Sequence, residues 1–245
     1  MTNQVRDAAY APPHDVRAIP LASLLGRGPR EPVSEHQLSF LGPAGLTTDE
    51  IKVFVAGDVE LLNAVRSVSI IGTRKVSANG ARRASRLARE LVENDVVIVS
   101  GLAEGIDTTA MESAIRSGGR TVGVIGTPLD QVYPAKNREL QEIIYRDYLL
   151  VSQFTAGSKV MPANFPRRNR LMAMLSDATV IVEASDTSGT LHQAAECVRL
   201  NRWLFIAKNV VDNPVLSWPA RFINYERFRV LERTDDLMSL VYGKC

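Results

Sequence analysis

The chain has 245 residues, 45% hydrophobic and 23% charged, with a formal net charge of +2. A chain of this length and balance can bury one large core, and its composition excludes collagen-like and disordered classes. Two cysteines, Cys197 and Cys245, give neither a disulfide framework nor metal-ligand spacing, and no apolar run reaches the length of a membrane span.

Residues 1–46 carry Pro12, Pro13, Pro20, Pro29, Pro32 and Pro43, with little apolar periodicity outside residues 21–25. That pattern predicts a proline-rich arm or loosely packed lead-in, followed by a single domain over 47–245 with its core at 67–208. A short strand is expected at 53–57, closed by Gly57, and a helical turn or two at 58–65. With no charged-then-apolar leader at the start, a cytoplasmic setting away from membranes is expected.

From Ser67 onward apolar runs alternate with amphipathic segments. Strands are predicted near 67–71, 95–99, 120–125, 148–152, 178–182 and 203–207. Helices are predicted near 78–94, 105–117, 137–147, 166–175, 189–200, 216–223 and 234–241. The first helix shows the rule: Ala84, Leu87, Ala88, Leu91 and Val92 recur at the spacing of a half-buried face. Strands separated by helices of this length imply crossover connections, hence an α/β, doubly wound, mainly parallel Rossmann-like sheet.

Ligands of such sheets sit at the carboxyl ends of the strands, so the strand-to-helix turns hold the candidate site. After the first core strand come Gly72, Thr73 and Arg74, expected to face a phosphate with help from the N-terminus of the next helix. The second turn holds Gly101, Gly105 and Asp107 as pocket-shaping residues, although Asp107 is equally suited to a helix start. Neither a dinucleotide-binding glycine pattern nor a nucleoside-triphosphate loop is present. No cofactor and no metal are expected.

The third turn brings Tyr133 and Pro134 as an elbow, then Lys136 and Asn137 before a helix. Residues 154–176 contain Lys159, Arg167, Arg168 and Arg170 and no acidic residue. With Asn169, the arginines at a helix start form a polyanion cradle on one reading and a solvated helix face on the other. Glu183, ending a buried strand, is expected to pair with an arginine of this cluster. Ser188, Gly189 and Thr190 offer hydroxyls and N–H groups at the next helix start, as a phosphate nest or as plain caps. His14, His36 and His192 are scattered, and no acid–base pair or nucleophile emerges by spacing, so binding is favoured over catalysis.

Six ordered motifs, GDVELLN at 57–63, SIIGTR at 69–74, SGLAEGID at 100–107, VYPAKN at 132–137, FPRRNR at 165–170 and VIVEASDTSGTL at 180–191, resemble the DprA/Smf family of DNA-processing proteins. The resemblance spans roughly residues 51–208. It implies a non-catalytic, dimeric protein that binds single-stranded DNA, protects it and loads a RecA-type recombinase during DNA uptake or recombination. By the same resemblance, Arg74, Lys136, Arg168, Asn169 and Arg170 would contact DNA. The chain departs from the family's pattern at Met111, Gln153 and Lys208-Asn209. The alternative is a sensor or processing enzyme of a small nucleotide on the same fold, against which stands Gln193, where a related hydrolase motif has glutamate.

Overall fold

The computed structural model describes residues 10–25, 33–34, 37, 47–63, 66–185 and 189–243. The described strands are β1 (Arg17–Pro20), β2 (Lys52–Gly57), β3 (Ser67–Gly72), β4 (Val97–Ser100), β5 (Thr121–Ile125), β6 (Leu149–Ser152), β7 (Ala178–Glu183), β8 (Trp203–Ala207) and β9 (Phe228–Leu231). They form one sheet in the order β1-β2-β6-β5-β4-β3-β7-β8-β9. From β6 to β9 every neighbour is parallel, while β2 joins β6 antiparallel and β1 joins β2 antiparallel. The fold is the expected doubly wound, mainly parallel one.

The helices are α1 (Ala78–Glu93), α2 (Ile106–Arg116), α3 (Arg138–Asp147), α4 (Asn164–Met174), α5 (Thr190–Arg199), the single turn α6 (Lys208–Val211) and α7 (Thr234–Tyr242). Successive strand residues point to opposite faces. On β3, Val68 and Ile70 pack with Leu87 and Leu91 of α1, Ile106 of α2 and Leu237 of α7. Ile71 turns the other way and joins Leu171 and Met172 of α4 and Ala194 of α5. Leu102, Ile125 and Leu150 form a third cluster with Leu140 and Ile144 of α3.

Strand β9 lies outside the sequence expectation, and the helix expected over 216–223 is a 3-10 turn, Trp218–Phe222. Two other differences from the sequence expectation have local causes. β4 begins two residues late because Asn94 and Asp95 close α1, and Asp95 takes a φ of 58° to turn the chain. More consequential is the proline-rich lead-in, part of which is bound to the sheet. Ile19 pairs with Val53, and Pro20 is tolerated because β1 is an edge strand. Leu21 and Leu24, in a 3-10 turn directly after β1, are fully buried in the β2-side core. Periodicity missed this segment because four residues of strand and four of 3-10 turn are too short to show one.

β3 lies at the centre. From it the chain moves outward through β4, β5 and β6, then returns to the other flank of β3 as β7. The reversal between β3 and β7 is the topological switch point, where ligands of open α/β sheets bind. Replacing the docked Leu21 by Ala is expected to cost about 2–5 kcal/mol in urea unfolding. A change within about 0.5 kcal/mol, normal for surface sites, would show that this segment is not part of the core.

Candidate functional site

At the switch point the turn after β3 is tied down by its own main chain. Thr73 N–H donates to the Glu183 carbonyl at 2.8 Å, and Lys75 N–H donates to Thr73 Oγ1 at 3.2 Å. Gly72 N–H turns inward to the Asp107 carboxylate. Gly105, with φ of 84°, starts α2 against the Thr73-Arg74 backbone, where a Cβ would stand 2.7 Å from the Arg74 carbonyl oxygen. Glycine is required there by both conformation and closeness.

These bonds correct the expectation that Gly72, Thr73 and the N-terminus of α1 offer N–H groups to a phosphate. The start of α1 is already occupied. Ser77 Oγ accepts Gly80 N–H at 2.9 Å, and Glu183 Oε2 accepts Ser77 N–H at 3.0 Å. A carboxylate therefore holds the place where an anion would sit. Glu183 is thus a helix cap and not the arginine partner expected from the sequence. What the turn presents outward is the exposed side chain of Arg74.

The basic helix start on α4 divides three ways. Arg168 is buried, its Nη1 donating to the Gly101 carbonyl and, at 3.1 Å, to the Val124 carbonyl, while Nε donates to Asn169 Oδ1 at 2.9 Å. Arg170 forks onto Glu196 at 2.7 and 2.8 Å, both side chains largely covered. Arg167 is exposed, its guanidinium 5.5 Å from the centre of the Phe154 ring. Arg168 and Arg170 spend their donors inside the protein, so they do not form the outward cradle expected from the sequence, and Arg167 is the arginine of this start that is exposed.

Asp107 is buried beside Arg168 and accepts Gly101 N–H at 3.1 Å. Burial pushes its carboxyl above the usual aspartate range, against the opposing pull of Arg168 and of the N–H groups of Ala103, Gly101 and Gly72. Arg168 is in turn lowered by burial, which the nearby Asp107 charge counters. A Cβ at Gly101 would overlap the Arg168 guanidinium, so that glycine makes room for the pair.

Asn137 is also turned inward. Its Nδ2 donates to the Leu102 carbonyl and to Thr108 Oγ1, each at 2.8 Å, so the donors of its amide clamp the third turn to the second. Its neighbour Lys136 is exposed, on the 3-10 turn that follows Tyr133 and Pro134. Gly189 and Thr190 line the groove, Gly189 exposed and Thr190 buried in the first turn of α5. Ser188 lies outside the described residues.

An open groove of about 490 Å³ runs over the switch point, lined by Thr73, Arg74, Lys75, Phe165, Asn169 and Gly189 among others. A small hollow of about 40 Å³ adjoins it below Tyr133 and Phe165. Those rings lie 5.5 Å apart at 55°, Tyr133 is 49% exposed, and the Arg74 guanidinium is 6.0 Å from both ring centres. The sequence reading missed this aromatic pair as a binding element, although the signal was there: each ring stands beside a proline within the basic motifs. Among the described residues no His, Cys, Asp and Glu cluster could hold a metal, and no helix is long and apolar enough to cross a membrane.

A family model for DNA recombination-mediator protein A matches residues 45–241. The chain belongs to this family, the DprA/Smf proteins. The DNA processing protein DprA of Streptococcus pneumoniae is 38% identical over 163 residues, 66% of this chain and 57% of that protein. Protein Smf of Synechocystis is 42% identical over 148 residues, 60% and 37% of the two chains. The chain spans roughly half the length of the curated relatives it matches. The X-ray structure of S. pneumoniae DprA superposes with a TM-score of 0.71 at 32% identity, over 79% of this chain and 68% of that one. The Helicobacter pylori DprA structure, which addresses that protein's single-stranded DNA binding mode, gives 0.68 at 28% identity, over 77% and 86%. A molybdenum cofactor binding protein of Rippkaea orientalis, at 0.53 and 14% identity, shares the fold.

Arg168→Ala would leave Asp107 buried without its compensating charge and is expected to cost about 3–5 kcal/mol in denaturant unfolding. Adding Asp107→Asn to it should recover part of the loss, whereas additive losses would deny the coupling. A second expectation concerns pH. Because folding raises the Asp107 pKa, its stabilising share is fully present below the unfolded value near 3.9 and lost as pH rises through the folded value. Against Asp107→Asn, the wild type should therefore lose relative stability from about pH 4 upward, and parallel pH profiles would contradict this.

Proposed function

We propose that the chain binds single-stranded DNA along the switch-point groove. Phosphates lie on the exposed cations Arg74, Lys136 and Arg167, and bases stack on Tyr133 and Phe165. The observation that carries the reading is Arg74, an exposed guanidinium set against two aromatic rings at the place where this fold takes its ligands. Cations follow a phosphate backbone without reading sequence, and aromatic faces accept any base. Support also comes from the H. pylori relative, whose structure concerns single-stranded DNA binding.

The role is one of binding without turnover, in the cytoplasm. Its finer parts, DNA protection, action as a homodimer and loading of a RecA-type recombinase during DNA uptake or recombination, rest on family membership, since the family is described as recombination mediators. Small-nucleotide sensing or processing at the groove is the weaker reading, because the N–H groups that would cradle a single phosphate are bonded internally.

Fluorescence anisotropy with oligodeoxythymidylate at several salt concentrations tests the proposal. The log affinity should fall by about 0.7 per log unit of salt for each phosphate contacted. Arg74→Ala with Lys136→Ala should weaken binding and flatten that slope. Tyr133→Ala should cost about 1–3 kcal/mol of binding while leaving the slope intact, since stacking releases no counterions. Wild-type affinity in the double variant would refute the assignment.

A further inference from the structure

A second cavity, of about 520 Å³, opens on the α1 side of the same sheet edge, between α1, the ends of β7 and β8, and the loop from β9 into α7. It is separate from the groove. Val182 of β7 faces this cavity while Ser185, just past that strand, faces the groove, and Glu183 between them caps α1. None of the residues carrying the proposed DNA contacts lines it.

Its floor is apolar, made of Leu87, Val182, Ala207 and Leu231, and its rim is charged. Most of those charges are already matched. Arg86 pairs with Glu90 at 2.6 Å, Lys208 with Glu232 at 2.9 Å, and Arg233 with Asp235 at 3.1 Å, while Thr234 Oγ1 donates to Glu90. Arg83 differs. Among the described residues its side chain makes neither ion pair nor hydrogen bond, and its Nε has no acceptor.

Arg83 Nε is closed to water and so to any ligand in the cavity, which leaves the terminal Nη groups of this part-exposed side chain to meet one. An anion in the cavity would give those Nη groups a charged acceptor. An arginine fork matches phosphate oxygens, while the other three cations of the rim are held in the ion pairs just named. The volume lies within the range of small-molecule sites, and the apolar floor suits an organic body. Asp212 and the Asn209 amide, also on the rim, give the wall acceptors that suit a ligand carrying hydroxyl or N–H groups besides its phosphate.

We propose that this cavity binds a small organic monophosphate of mononucleotide size, with the phosphate on Arg83 and the organic body against Leu87, Val182 and Leu231. The proposal stands independently of the DNA reading, since the two sites share no lining residue.

Calorimetric titration of the full chain with thymidine monophosphate, and separately with inorganic phosphate, tests it. Saturable binding of the nucleotide at one site is expected, with inorganic phosphate weaker. Arg83→Gln should weaken nucleotide binding about tenfold or more, the usual consequence of removing a charged hydrogen-bonding partner. Asn209→Trp, at an exposed rim position, should block the cavity without removing charge. Both variants should retain the wild-type circular dichroism spectrum and oligonucleotide affinity. Absence of saturable nucleotide binding would overturn the proposal. So would binding that survives Arg83→Gln but is lost in Arg74→Ala, since the ligand would then sit in the groove. Loss of oligonucleotide binding in Arg74→Ala is read on the DNA assay and bears on the groove alone.

Discussion

The buried guanidinium of Arg168 is the constraint on which the binding edge depends. Three parallel strands end in turns that must be held at fixed spacing, and no regular ladder extends past the strand ends to hold them. Arg168 reaches from α4 to the carbonyls of Gly101, after β4, and Val124, near the end of β5. Asp107 answers its charge from α2 and collects the N–H groups of Gly72 and Gly101. One buried pair thus ties the turns of β3, β4 and β5 to two helices on opposite faces of the sheet. Such a pair adds little net stability over an apolar substitute, but removing one member leaves the other stranded. Arg74 follows β3, Tyr133 follows β5 and Phe165 lies on α4, the elements that this pair joins.

That arrangement also changes how an anion can be met. Dinucleotide and triphosphate sites on related sheets use free main-chain N–H groups at a helix start, which grip one phosphate group closely. Here those groups are consumed by Asp107, by Glu183 and its carbonyl, and by Ser77. What remains are long exposed side chains carried by three separate turns. Separate exposed cations suit a chain of phosphates better than a single one. The internal closure of the turn is therefore part of the reason for reading the ligand as a polymer.

Much of the fold was legible in the sequence because the core obeys simple periods. The runs at 67–71, 178–182 and 203–207 are apolar throughout, as strands covered on both faces must be. Less legible were features that depend on what lies across space. Consecutive helical residues project about 100° apart, so Arg167 and Arg168 cannot share a face. Arg168 belongs with Asn164, Leu171 and Met172 on the buried stripe of α4, a phase the spacing already contained. The pairing of Arg170 with Glu196 was out of reach, since nothing local links residues 26 positions apart. The same holds for Glu183, whose partner Ser77 lies 106 residues away.

Burial decides the function of a basic cluster more strongly than charge does. Arg168, Arg170 and Arg83 carry the same side chain as Arg74, yet the four stand in three different states of satisfaction. Arg168 and Arg170 have acceptors from the protein and contribute to structure. Arg74 is exposed over aromatic rings, within reach of water. Arg83 is part-exposed and lines a concave cavity with an apolar floor. An exposed cation gains modestly from an anion because it exchanges water for phosphate, whereas one set in a concave, partly apolar cavity meets its ligand where the charge is screened less. On that physical ground the groove suits many weak, salt-sensitive contacts, and the α1 cavity suits one small ligand held at a fixed point.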